Sequence, residues 1–288
     1  MTKRKRHMTA EKQAEYLAAG RGQGFGEEYV PWLKIQDVAS QGRVSRIDSW
    51  KTGRTHHFLS DIEKHYFYLL EWADDVVDIR EQYPLKLDVS LRVAGELGIM
   101  HPRDPKTKEN IVMTTDFCIT LVRDNRPVII ARTAKTKSDL AKSRVREKLK
   151  IEEVYWREMG VDWGIISNGE LPMVYIRNIE WVRTAYWKEF VIDMDPLFIS
   201  GYIEMFIAAM KQSGNKHLFS FLEEVDRSVS AQPGTALRLF RHLLARKVIQ
   251  TDFHQKISVE TPLSKFRVKL SNTAVGGNVY EYCNQRSC

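Results

Sequence analysis

Two side chains of the sequence, Asp116 and Lys135, have the types and the spacing that metal-assisted hydrolysis of a phosphodiester requires. Asp116 lies in the apolar run 112–119, where a carboxylate is costly unless it is paired or bound to a metal. Lys135 follows a second apolar run, and the turn 123–126 separates the two runs. A hairpin about this turn places residue 116 opposite about residue 134, so both side chains are expected at one edge of a sheet.

The chemistry that such residues support is phosphodiester cleavage with Mg²⁺. Carboxylates hold this ion, which keeps several of its waters and needs only a few protein ligands. The ion polarises a phosphoryl oxygen and generates hydroxide, and two ions about 3.5–4 Å apart clamp an in-line displacement. A lysine ammonium orients the attacking water or offsets the charge that builds in the transition state.

Each candidate residue also has a structural explanation, which the sequence leaves open. Asp116 could form an ion pair with an arginine, and Lys135 could be a solvated strand end. Glu63 could supply a further carboxylate from a helix. However, the segment Ser60-Asp61-Ile62-Glu63 fits a capping box, in which the glutamate binds the backbone at the start of its own helix. Spacing alone favours the cap.

The elements around these residues predict a small mixed α/β core. Apolar residues at four-residue spacing, Ile62, Tyr66 and Leu70, indicate a helix over 60–72. A second, long helix is predicted over 139–159, with Gly160 as its stop. The predicted strands are 76–83, 112–121, 127–134 and 163–167, and the segment 85–108 is expected to be irregular.

The character of the chain changes after about Val182. Helical patterns dominate residues 196–247, and the segments 248–253 and 257–260 are predicted to be short strands. Helices followed by a small hairpin indicate a winged-helix module. Arg238 and Arg241 lie off the apolar side of its last helix and are predicted DNA contacts.

The composition is that of a folded protein, with 43% hydrophobic and 28% charged residues. No run of about 18 apolar residues occurs, so no membrane span or membrane partner is expected. The net charge of +7 suits a polyanionic partner. The basic N-terminus is either a solvated arm or a phosphate contact, since no apolar stretch follows it. Three widely spaced cysteines fit a reducing cytoplasm.

A series of separate motifs, kept in order over about residues 15–182, resembles the TnsA family. The C-terminal third is similar mainly in position and helical character. The motifs are Gly20-Arg-Gly-Gln-Gly, Tyr29-Val-Pro-Trp-Leu, Ser49-Trp-Lys-Thr-Gly-Arg-Thr-His-His, Leu59-Ser-Asp-Ile-Glu, Leu70-Glu-Trp, Val77-Asp-Ile-Arg-Glu-Gln-Tyr-Pro, Thr115-Asp-Phe, Arg146-Glu-Lys-Leu, Tyr155-Trp and Asn178-Ile-Glu-Trp.

The resemblance implies a restriction-endonuclease-like α/β core, with a mixed sheet flanked by helices, over residues 1–182. A mostly helical, winged-helix-like domain would follow over residues 183–288. The implied activity is a metal-dependent DNA endonuclease of the bacterial cytoplasm that cuts the 5′ ends of a transposon. Its cofactor would be Mg²⁺, as two ions, with Mn²⁺ as a substitute. Its partners would be transposon-end DNA, a TnsB-type transposase that cuts and joins the 3′ ends, and a TnsC-type AAA+ ATPase that contacts the C-terminal region.

The resemblance also assigns site residues by their position in the matching motifs. Glu63 becomes the helix-borne metal carboxylate, which raises it above the capping explanation. Asp116 becomes the central metal carboxylate, and Lys135 the catalytic lysine. Lys137, one strand step later, is an alternative to Lys135. Arg132 and Lys137 are predicted DNA contacts.

One position departs from the pattern of the family. Endonucleases of this fold usually have an acid two residues before the lysine, and TnsA proteins often have glutamine there. This chain has Thr133, whose hydroxyl or backbone carbonyl could still ligate Mg²⁺ without adding charge. We therefore expect weaker binding of that ion. The departure keeps open a DNA-binding or scaffolding subunit with a weakened site, and a stand-alone restriction-type nuclease is the other alternative.

Overall fold

The computed structural model describes residues 7–38, 42–187 and 196–269. Contacts within the chain divide it into two compact units, Met1–Leu171 and Pro172–Cys288. The helix Met173–Arg183 is grouped with the second unit, whereas the sequence placed the boundary at residue 182. Within the described ranges, no helix is long and apolar enough to cross a lipid bilayer.

The first unit is built on a mixed four-stranded sheet with the spatial order β3-β4-β5-β6. Strands β3 to β5 are antiparallel, whereas β6 runs parallel to β5 because a helical crossover joins them. The predicted mixed sheet flanked by helices is confirmed. The strands of the unit are β1 (Ser45–Asp48), β2 (Thr55–Phe58), β3 (Val76–Pro84), β4 (Thr114–Arg123), β5 (Arg126–Lys135) and β6 (Asp162–Ser167). Its helices are α1 (Ala10–Ala18), α2 (Asp61–Trp72), α3 (Leu87–Glu96), α4 (Lys137–Leu140) and α5 (Ser143–Glu158).

The hairpin β4–β5 sets the register of the site. Its turn residues Asp124 and Asn125 both have positive φ, at 49° and 58°, as a two-residue hairpin turn with the twist of its strands requires. Phe117 pairs with Arg132. Asp116 is therefore expected one step further along, opposite residue 133 and not 134, because the turn is one residue tighter than the sequence estimate assumed.

The expectation of an irregular segment over 85–108 is wrong for its first part, which forms α3. Ser90, Val93 and Ala94 are its buried residues, and α3 packs against α5. The apolar stripe is short, and Gly95 and the β-branched residues lower the helix propensity. Packing against α5 stabilises the helix in spite of its low propensity.

The predicted helix over 139–159 is two helices, α4 and α5. The side chain of Thr136 caps α4 by accepting from the backbone N–H of Asp139. At the break, the Arg146 guanidinium donates to the carbonyls of Leu140 and Ala141 at 3.1 and 2.6 Å. This side chain satisfies carbonyls that a continuous helix would have used itself. Gly160 ends α5 with a φ of 67°, as predicted.

A buried ion cluster fixes the hairpin β1–β2 to the sheet. Glu81 of β3 is fully buried and accepts from both Arg54 and His56, with His56 Nδ1 at 2.8 Å. Although burial by itself would raise it, the pKa of Glu81 lies well below its ordinary range because His56 and Arg54 stabilise the carboxylate. His56 also contacts the hydroxyl of Thr52 at 2.8 Å.

The second unit is mostly helical, as predicted. Its helices are α6 (Met173–Arg183), α7 (Pro196–Gln212), α8 (Leu218–Ser228) and α9 (Thr235–Ala245). A two-stranded sheet pairs β7 (Ile249–Gln250) with β8 (Arg267–Val268). The predicted strand 257–260 is wrong, because Ser258 and Thr261 close a tight turn there through two hydrogen bonds. Helices followed by a small antiparallel pair still give the element order expected of a winged helix.

Candidate active site

Asp116 and Lys135 meet at the open end of the hairpin β4–β5. The Lys135 Nζ atom lies 3.0 Å from Asp116 Oδ2. The backbone N–H of Ala134 donates to the same oxygen at 2.8 Å. Asp116 is thus paired with a lysine rather than an arginine, and Lys135 is not merely a solvated strand end. Lys137, the alternative lysine, is exposed at the first position of α4.

Glu63 has both of the roles that the sequence left in competition. The cap is formed, since the Ser60 Oγ atom accepts from the Glu63 N–H at 3.2 Å and donates to Glu63 Oε1 at 2.8 Å, while the carboxylate reaches back to the backbone one residue before the cap. The Leu59 N–H donates to Glu63 Oε2 at 3.0 Å. These bonds hold the buried carboxylate at the start of α2, on the side that faces Asp116. The cap therefore orients the acid and does not exclude a role in the site.

Gln82 joins the two carboxylates and was not identified from the sequence. Its Nε2 atom lies 3.4 Å from Glu63 Oε2 and 3.3 Å from Asp116 Oδ1. The side chain is buried, and its Oε1 atom accepts from the Thr114 hydroxyl at 3.1 Å. The sequence did contain one signal for this residue. Gln82 is a polar residue just before the tyrosine and proline that end a buried strand.

Glu152 is a third buried acid of the site, and it was not identified from the sequence. Its Oε1 atom accepts from the hydroxyl of Thr133, from that of Thr115 at 2.7 Å and from the Trp163 indole at 3.1 Å. Its spacing from Leu149 and Trp156 places it on the buried face of α5 and could have identified it.

Thr133 therefore holds a carboxylate with its hydroxyl and carries none itself. The hydroxyl is engaged by Glu152, and neither Glu63 nor Asp116 is its hydrogen-bond partner among the contacts of the described residues. Ligation of a metal by Thr133, through the hydroxyl or the backbone carbonyl, stays a prediction.

The electrostatics of the cluster favour an added cation. Burial and the charge of Asp116 raise the pKa of Glu63 to about 7. Burial also raises the pKa of Glu152. Although burial alone would lower it, the pKa of Lys135 is raised, because Asp116 and Glu152 lie nearby. Three acids surround Lys135, so a bound cation would lower the cost of ionising Glu63.

The residues fit a divalent ion of the Mg²⁺ type. In the part of the chain that the structure describes, no group of three His, Cys, Asp or Glu side chains is arranged to hold a metal. Mg²⁺ does not need one, since it keeps several waters and is commonly held by one or two carboxylates. Glu63 and Asp116, bridged by a single amide, meet that requirement.

The predicted DNA contacts have varied surroundings. The Arg132 guanidinium pairs with Asp162 Oδ2 at 2.6 Å and donates to its carbonyl. Arg238 lies half-buried on α9. The Arg241 guanidinium donates to the carbonyl of Trp181 at 3.1 Å, which indicates a structural role within the second unit. Contact of any of them with DNA stays a prediction.

Comparison with known proteins identifies the family of the chain. The family model of the TnsA-like endonuclease N terminal matches residues 73–168, which include Asp116 and Lys135. The model of the TnsA endonuclease C terminal matches residues 170–253. The Transposon Tn7 transposition protein TnsA of Escherichia coli is 33% identical over 242 residues, which are 84% of this chain and 86% of that protein. The chain therefore belongs to the TnsA family of transposition endonucleases.

Proposed function

We propose that this chain is the Mg²⁺-dependent subunit that nicks the 5′ ends of a transposon. The observation that carries the proposal is the contact of Lys135 with Asp116 beside the buried Glu63. In this function Glu63 and Asp116 would hold the metal, Mg²⁺ or Mn²⁺, beside the scissile phosphate. When bound, the ion supplies Lewis-acid activation of the phosphate and a hydroxide nucleophile.

Lys135 has the second role in the proposed reaction. Its ammonium is held by Asp116 Oδ2 and by the carbonyl of Ala134 at 2.9 Å, so one of its three donors stays available. That donor orients the attacking water or stabilises charge on the phosphoryl oxygens. The neighbouring acids keep the ammonium protonated, as this role requires.

The proposed partners follow from the family. A TnsB-type transposase would cut and join the 3′ ends, and a TnsC-type ATPase would contact the C-terminal unit. The relative from Escherichia coli is named as a transposition protein, which supports action at transposon-end DNA. The alternative of a scaffolding subunit rests on the lack of an acid at Thr133. Glu152 argues against this alternative, because it provides a carboxylate that contacts Thr133 beside the site.

Strand-specific nicking of transposon-end DNA, with both partner proteins present, tests the proposal. Asp116→Asn keeps the shape and removes the charge, and we expect it to lower the rate of 5′ nicking by at least about 100-fold. Lys135→Ala and Glu63→Gln should act alike. The 3′ joining should persist and yield cointegrates. Asp88→Asn, at an exposed position of α3, is the matched control. Wild-type nicking by Asp116→Asn would refute the assignment, and full activity without partners would indicate a stand-alone nuclease.

A further inference from the structure

Gln82 lies at a break in the ladder between β3 and β4. Glu81 pairs with Phe117 and Tyr83 pairs with Thr115, so Gln82 falls opposite Asp116. Instead of joining the ladder, Gln82 has a φ of 49°, and its carbonyl accepts from the backbone N–H of Trp32 at 3.2 Å. A positive φ is uncommon outside glycine and is energetically unfavourable. The surroundings therefore hold this residue in an unfavourable conformation next to the site.

The carboxamide of Gln82 is oriented by its neighbours. The Thr114 hydroxyl donates to Oε1 at 3.1 Å, which directs the amide nitrogen away from Thr114. The nitrogen then faces Glu63 Oε2 and Asp116 Oδ1 at 3.4 and 3.3 Å. An amide has two N–H donors and no charge. It therefore satisfies one oxygen of each acid without neutralising either acid.

We propose that Gln82 is a positioning residue of the metal site. Its amide holds Glu63 and Asp116 together in the metal-free protein and competes with the divalent ion for these two carboxylates. This inference rests on the proposed metal dependence and adds a residue that acts on the ion through its ligands. Metal binding then requires Gln82 to release the carboxylates, while Thr114 retains the other end of the amide.

Mn²⁺ binding to Gln82→Met separates this role from a purely structural one. Methionine keeps the length of the side chain and removes both donors. Loss of a bond that exists only in the metal-free protein should lower its Tm and tighten Mn²⁺ binding about five-fold, the effect of one hydrogen bond of ordinary strength. Saturating Mn²⁺ should make the loss of Tm smaller and leave only the part that comes from the missing Thr114 bond, which the wild type keeps in both states. An unchanged or weaker affinity, with an equal loss of Tm with and without Mn²⁺, would overturn the inference.

Gln82→Glu provides a second measurement, which also decides the matter if Gln82→Met does not fold. It adds a carboxylate of the same shape between two others, so the metal-free Tm should fall and Mn²⁺ should raise it more than in the wild type. Gln23→Glu, at an exposed position, adds the same charge away from the site and should respond to Mn²⁺ as the wild type does. Equal responses of the two variants would count against the inference.

The same titrations distinguish this inference from the proposed function. Asp116→Asn should abolish the Mn²⁺-induced rise in Tm if the metal site is as proposed. If it does so while both Gln82 variants bind Mn²⁺ as the wild type does, only the role of Gln82 fails. If the wild type shows no Mn²⁺ response at all, the proposed function fails and the inference fails with it.

Discussion

Thr133 lies two residues before Lys135 and connects β5 to a carboxylate on α5. Its hydroxyl donates to the buried Glu152, which the hydroxyl of Thr115 also contacts. Unpaired buried carboxylates are costly, so these donors keep Glu152 in place beside Asp116 and Lys135. At the scale of single residues, a threonine hydroxyl on the strand holds a carboxylate that comes from a helix.

Thr133→Val tests whether the hydroxyl acts through Glu152. The substitution keeps the shape and leaves a buried carboxylate short of one donor, so we expect the free energy of unfolding to fall by about 1–3 kcal/mol. The rate of 5′ nicking should fall, whereas the Mn²⁺ affinity from calorimetry should change less than two-fold.

A double-mutant cycle with Glu152→Gln provides the control for Thr133→Val. If the two side chains act as one unit, the effects of the two substitutions on stability should be clearly non-additive. Additive effects, or a large loss of Mn²⁺ affinity in Thr133→Val alone, would assign the hydroxyl directly to the metal.

At the scale of elements, the start of α2 serves both the fold and the site. Ser60 caps the helix and contacts the carboxylate of Glu63 at 2.8 Å. The first turn of a helix also stabilises an anionic side chain, because unpaired N–H groups point out of it. The same few residues therefore begin the helix and aim the acid.

Ser60→Ala should lower both the stability of the protein and its affinity for Mn²⁺. Loss of an ordinary helix cap would lower the stability only. Thr9, the N-cap of α1, is the matched control, because its hydroxyl accepts from Lys12 N–H and touches no site residue. Both Ser60→Ala and Thr9→Ala should cost about 1 kcal/mol in urea unfolding. Only Ser60→Ala should weaken Mn²⁺ binding and slow nicking. Equal effects of the two substitutions on Mn²⁺ binding would contradict the role of the cap.

His242 makes the second unit sensitive to acid. It is buried on α9, and its Nδ1 atom lies 2.7 Å from the carbonyl of Ala185, to which it donates. Burial above all lowers the pKa of His242 to about 4. In the unfolded chain this group takes up a proton near pH 6.5, so the stability that neutral His242 contributes is lost as the pH falls from about 6 to about 4, by about 1.4 kcal/mol per pH unit.

Urea unfolding at several pH values measures this contribution of His242. The slope of stability against pH should be shallower in His242→Gln than in the wild type over that range. His217→Gln, at an exposed histidine, should leave the slope unchanged. A slope in His242→Gln that equals that of the wild type would contradict the prediction.

At the scale of the whole molecule, the net charge of +7 predicts binding to DNA that depends strongly on salt. Desolvation and the charges of Arg144 and Lys135 lower the pKa of Lys148. Its position on α5 is one helical turn before Glu152. Lys148 is therefore a candidate for a phosphate contact beside the scissile bond.

The affinity of the full chain for a non-specific duplex measures the contribution of Lys148. With about four phosphate contacts, the affinity should fall roughly 100-fold between 50 and 200 mM salt. Lys148→Gln should reduce the slope against the logarithm of salt concentration by about one contact. Lys216→Gln, at a lysine paired with Glu224 at 2.6 Å, should not change the slope. Equal slopes for the wild type and Lys148→Gln would exclude this contact.

The parts of the molecule that depend on local interactions could be predicted from the amino-acid sequence. The turn at Asp124 and Asn125, the apolar runs on either side of it and the spacing of Ser60 and Glu63 predicted the hairpin and the cap. Since a hairpin has little freedom of register, the meeting of Asp116 with Lys135 was also predictable, with an error of one residue. The helix α3 was missed because its helix propensity is low. The helix is stabilised by packing against α5.

The distant side chains that complete the site could not be predicted from the sequence. Gln82 reaches Asp116 because β3 pairs with β4, and Glu152 reaches Thr133 because α5 packs against the sheet. Neither contact follows from a fixed spacing along the chain, since each depends on how separate elements pack. The tertiary structure also showed that Glu63 can cap its helix and face Asp116 at once, because a buried carboxylate has two oxygens and more than one lone pair to share.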